Sequence, residues 1–155
     1  GDLDQLGSHA AAVVDFELSF GGHILSNYVW DSQRWPRQEL SAFERMNWLT
    51  GIITFGCNIP LFTFACPKIV PVGFPPPRLA KRLKSKARWL NYYDPDDVLA
   101  WPLKSVNAAY ARVVSDDRLI NVGGAMISRT PFSHLRYWSD LGFAREGAAF
   151  LVTLL

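Results

Sequence analysis

Apolar positions along this chain fall into short, separate runs, and the spacing inside each run predicts an element. Residues 10–18 (AAAVVDFEL) form an apolar segment with β-branched members that stops abruptly at Ser19-Phe20-Gly21-Gly22. Helix-compatible residues then continue over 23–33, so the order is strand, tight turn, helix. Leu40, Phe43 and Met46 recur at helical spacing and predict a second helix over 38–48, followed after Gly51 by the strand Ile52-Ile53-Thr54-Phe55. A strand-helix-strand succession needs a crossover connection and therefore predicts parallel pairing.

Next comes a connection carrying Pro60, Pro67, Pro71 and Pro75-Pro76-Pro77, where helix and central strand are both disfavoured. Pro77 suits the first turn of a short basic helix over 78–84, and 87–93 (ARWLNYY) reads as a third strand ending at Asp94-Pro95. Residues 119–122 (LINV) read as a shorter fourth strand, and the tail mixes helix-compatible stretches with a final apolar run over 148–155. No repeat and no long linker divides the chain, so the expectation is one α/β domain over 1–155, with a parallel sheet of about four strands flanked by helices.

Composition sharpens this picture. At 155 residues the chain can bury one core, and 49% hydrophobic against 19% charged residues favours a buried sheet over a solvated helical array. Residues 49–66 carry no charge and are long enough to be tested as a membrane span, but Gly51, Gly56, Asn58 and Pro60 break the run into a strand and a turn-rich connection. A net charge of +2 is too small to point to nucleic acid, and the basic cluster between Arg78 and Arg88 reads as a solvated helix face. Cys57 and Cys66 form no disulfide framework and no C-x-x-C pair, so two reduced, buried thiols and no metal site are expected. Such reduced thiols favour a cytoplasmic setting, and the amino terminus, Gly1-Asp2-Leu3-Asp4-Gln5, lacks the basic-then-apolar order of a signal peptide, so secretion is not expected.

The chemistry centres on Glu17-Leu18-Ser19-Phe20-Gly21. A serine at a sharp strand-to-helix turn projects its hydroxyl at the carboxyl edge of a sheet, and the helix start favours developing negative charge. The competing reading of Ser19 is an ordinary helix cap. The segments SFGGHILSNYVWD (19–31), ITFGCNIPLF (53–62), WLNYYDPDDVLAWPL (89–103) and TPFSHLRYW (130–138) together resemble the nucleophile, next-strand, acid and histidine segments of bacterial lipase- and esterase-like α/β-hydrolases, in that family's order.

The resemblance implies that Ser19 attacks the carbonyl of a small-molecule or lipid ester, that His134 moves the proton, and that an aspartate orients the imidazole. Asp97 is the expected acid, with Asp94 and Asp96 as neighbours able to take its place. Phe20 would supply a backbone donor to the oxyanion, and neither metal nor organic cofactor is implied. His134 could equally be a loop histidine, His23 reads as a packing residue on the helix, and His9 as a surface one. Two departures count against catalysis. Glu17 stands where the family has a small residue, and the chain starts immediately before the nucleophile strand, ahead of which the family carries strands that supply a second oxyanion donor. A truncated, impaired hydrolase is thus one expectation, and a non-catalytic structural or interaction domain is the other. In either case an exposed sheet edge would be open to self-association or to a partner chain.

Overall fold

Four strands, β1 (Val13–Leu18), β2 (Leu49–Phe55), β3 (Arg88–Tyr93) and β4 (Asp116–Leu119), lie side by side in chain order, each pair parallel. This is the arrangement in a computed structural model that describes residues 12–34, 40–66, 69–122 and 131–155. His9, Pro67, Thr130 and the expected start of the second helix lie outside the described residues.

Helices α1 (Phe20–Arg34), α2 (Ile59–Thr63), α3 (Lys81–Lys84), α4 (Ala108–Val113) and α5 (Leu141–Leu154) complete the α/β architecture. Side chains alternate across a strand, so neighbours on β2 feed opposite cores. Ile52 joins Leu25 and Val29 of α1, Leu83 of α3 and Tyr110 of α4, whereas Ile53 joins Tyr137 and Phe143 and Phe150 of α5. With both faces covered, all seven β2 positions are buried, which is why this strand reads as a continuous apolar run. Fully burying a side chain such as Phe55 contributes roughly 1.5–3 kcal/mol. By contrast β1 is only half-buried throughout, and Asp15 and Glu17 alternate with Val14, Phe16 and Leu18, which pack towards the α5 side.

Several expectations need correction. The second helix shrinks to one turn, because its start and stop signals overlap. Ser41 and Glu44 form a capping box, with Ser41 N–H donating to Glu44 Oε2 at 2.8 Å and Glu44 N–H to Ser41 Oγ at 3.2 Å. Two residues later Met46 takes φ 54°, and the bonds Met46 N–H to Phe43 O and Asn47 N–H to Ala42 O close a Schellman-type end. Pro60 does not exclude helix: it occupies the first turn of α2, where its missing N–H costs nothing. The fourth strand lies three residues earlier than expected because Asp117 is tied down by tertiary bonds, accepting from Leu103 N–H, Lys104 N–H and Asn91 Nδ2. Helix α4 is unanticipated, although Asn107 caps it by accepting from Ala109 and Tyr110 N–H. Of the two thiols, Cys57 is buried but Cys66 is exposed, and both are free.

Candidate functional site at the carboxyl rim of the sheet

Register aligns the strand ends. Leu18 pairs with Phe55 and Phe55 with Tyr92, so the residues that follow β1, β2 and β3 emerge along one rim. In parallel sheets that carboxyl rim is where ligand sites form.

Ser19 extends the ladder by one bond, its N–H donating to Phe55 O at 3.1 Å, and then turns at φ 56° into α1. A non-glycine residue in the left-handed region costs about 1 kcal/mol, and such strain persists only where its surroundings impose it. Two contacts make the turn tight. A Cβ on Gly22 would stand 3.2 Å from both Cys57 Sγ and Thr54 Cγ2, so the bare glycine lets α1 settle onto β2. Phe20 is the first residue of α1, and its backbone N–H has no acceptor within the helix.

The three aspartates after β3 do different things. Asp94 is fully buried and organises the turn: Oδ1 accepts from Asp96 N–H at 2.9 Å, Oδ2 from Val122 N–H at 2.8 Å, and its carbonyl from Asp97 N–H at 3.0 Å. Asp96 is exposed. Asp97, 4% exposed, accepts Leu99 N–H on Oδ1 at 3.0 Å, while Oδ2 lies 2.7 Å from His134 Nδ1. A carboxylate only accepts, so Nδ1 carries a hydrogen, and in the neutral ring the lone pair is left on Nε2.

His134 sits in a 3-10 turn, Pro131–Leu135, is 8% exposed, and its Nε2 has no hydrogen-bond partner among the described residues. No hydrogen bond therefore joins it to Ser19. Gly56, at φ 58° just after β2, admits the ring to the rim: a Cβ there would lie 3.0 Å from His134 Cε1 and 3.0 Å from Leu18 Cδ1. Tyr137 packs edge-on to the imidazole and accepts Asp94 N–H at 2.9 Å. Burial, and then the charge of Asp97, push its phenol upward, so the hydroxyl keeps its proton. Asp94, a candidate acid from the sequence, instead organises the turn, while Gly56 and Tyr137 are site residues that sequence reasoning misses; a glycine directly after the β-branched strand is the one available signal.

The Glu17 side chain lies against Gly21 on the α1 side of the sheet, and burial followed by the charge of Asp15 raises its carboxyl. His23 stacks on Phe62 with ring centroids 4.7 Å apart, which is a packing role. The basic cluster stays apart from this rim, since Arg88 opens β3 at its amino end and bonds the carbonyls of Ser85 and Ala87. Among the described residues no group of His, Cys, Asp and Glu is arranged to hold a metal, and no helix is long and apolar enough to cross a membrane. No protein-family model, curated protein or solved structure matches the chain.

Proposed function

We propose that this chain is a serine ester hydrolase of the α/β-hydrolase type, acting on a carboxylic ester through an acyl-Ser19 intermediate. One observation carries the reading: a buried Asp97–His134 pair, 2.7 Å apart, holds an Nε2 with no partner among the described residues at the same sheet rim as a serine in a left-handed turn. His134 Nε2 takes the hydroxyl proton as Ser19 Oγ bonds to the ester carbonyl carbon, and Phe20 N–H donates to the oxyanion that forms. Collapse breaks the bond to the alkoxy oxygen, which leaves as alcohol with the proton from Nε2. Water then attacks the acyl group by the same proton path, releasing the acid and restoring Ser19. Asp97 keeps the imidazole in the required tautomer throughout. The reading requires Ser19 Oγ and Nε2 to come within hydrogen-bond distance in the substrate complex, a bond that is often long in free enzymes.

Treatment with a fluorophosphonate tests it. The expected result is a single adduct at Ser19 by peptide mass mapping, absent from Ser19→Ala. No adduct under conditions that label an active esterase overturns the reading. A second reading, a non-catalytic domain on the same scaffold, is favoured by the Glu17 carboxylate against the glycine that follows the serine turn. It predicts an unlabelled protein that still unfolds cooperatively.

A further inference from the structure

A cleft of about 410 Å³ runs beside α1, separate from the Asp97–His134 pair. His23, Asn27 and Trp30 line one wall from a single face of that helix, and Phe62, Ile69 and Tyr110 face them. Among the described residues, none that lines it is Asp, Glu, Lys or Arg. A charged group drawn inside would meet no described charge of opposite sign, only the polar groups of His23, Ser26, Asn27 and Thr63, whereas an alkyl chain needs no partner against Ile59, Phe62, Ile69 and Val70.

Its connection to Ser19 is aromatic. Phe20, the residue after the serine, lies 5.4 Å from His23 and 5.5 Å from Phe62 between ring centroids, and His23 stacks on Phe62 at the near end of the cleft. Phe20 and Phe62 are 47% and 40% exposed, so both rings present an open apolar surface between the serine turn and the cleft. From His23 to Trp30 the wall covers about 10 Å of helix, the reach of roughly eight chain atoms at the ~1.2 Å per atom of an extended backbone.

We infer that this cleft holds the alkyl chain of the acyl group, so that the substrate is an ester of a medium-chain carboxylic acid; the inference rests on the serine-hydrolase reading for its link to Ser19. The chain enters along the Phe20–Phe62 rings, and its carbonyl stays at the rim.

Cys66 borders the cleft and is exposed, whereas burial pushes the Cys57 thiol up to about 12, so a maleimide reports on Cys66. Decanoate is expected to slow maleimide modification of Cys66 at least fivefold, acetate is expected to leave it unchanged, and Asn27→Trp, at an exposed position, is expected to remove the protection. Separately, Ser19 is treated with decyl and methyl fluorophosphonates, in which the Oγ–P bond forms as fluoride leaves and Nε2 takes the proton. Asn27→Trp is expected to slow the decyl probe at least tenfold and the methyl probe less than threefold. Absence of decanoate protection overturns the cleft as an alkyl site, whatever happens at Ser19. Equal effects of Asn27→Trp on both probes overturn its role in acyl selection while leaving Ser19 a nucleophile. Protection without labelling by either probe removes the hydrolase reading and leaves the alkyl site standing.

Discussion

Asp97→Asn is the substitution whose outcome the geometry dictates most closely. The side chain keeps its shape, so the fold survives, and the question becomes which way the new amide faces. Leu99 N–H donates to Oδ1 at 3.0 Å and demands an oxygen there. The amide therefore turns its NH₂ towards His134, where Oδ2 now stands 2.7 Å from Nδ1. Two donors cannot share that bond, so Nδ1 must become the acceptor and the ring hydrogen moves to Nε2. An imidazole in that tautomer has no lone pair with which to take the Ser19 proton. The expected loss in fluorophosphonate labelling rate is about 10⁴-fold, equivalent to roughly 5.5 kcal/mol in the barrier, the scale seen when a triad aspartate becomes asparagine in a serine protease. Nitrogen NMR of the His134 ring checks the cause, with the N–H signal expected to pass from Nδ1 to Nε2. A labelling rate within threefold of the parent, or an unchanged tautomer, refutes the reasoning.

Further outcomes follow from the same contacts. Gly56→Ala places a Cβ 3.0 Å from His134 Cε1 and 3.1 Å from Tyr137 Cε2 at φ 58°, so urea unfolding should show a loss of about 1–3 kcal/mol together with slower Ser19 labelling; unchanged stability would contradict the assigned close approach. Tyr137→Phe leaves the buried Asp94 N–H without its acceptor, and the same assay should register a loss of about 1–3 kcal/mol. Glu17 has its carboxyl raised above the ordinary 4.5 by burial and then by Asp15, so the folded state holds that proton more tightly than the unfolded chain. Its contribution is favourable below that ordinary value and is lost as pH rises through the raised one. Thermal melts against pH should therefore show Glu17→Gln gaining on the parent as pH climbs from 4.5 towards 7, and a constant difference would contradict the assignment.

How much of this was legible beforehand varies with how local each cause is. Strand β1 and its turn into α1 could be read from a β-branched run meeting Ser19 and two glycines, because those preferences act between chain neighbours. The same holds for β2 and β3, whose runs of β-branched and aromatic residues reflect cover on both faces, and for their parallel order, which the crossovers require. The helix expected over 38–48 failed even though its signals were local, since apolar spacing was counted while the stop at Met46, a residue that rarely takes positive φ, went unseen.

What the chain alone could not decide depends on contacts between distant residues. Asp94, Asp96 and Asp97 are near-equivalent in sequence; the Val122 N–H claims one, solvent takes the second, and only Asp97 meets His134, 37 positions away. Helical spacing likewise puts His23, Asn27 and Trp30 on one side of α1 without saying what opposes it, and the cleft exists only once Phe62, Ile69 and Tyr110 arrive from three later segments. Local propensity thus determined which elements form and in what order. The shared register of the strands, which fixes where their ends emerge, decided which side chains meet.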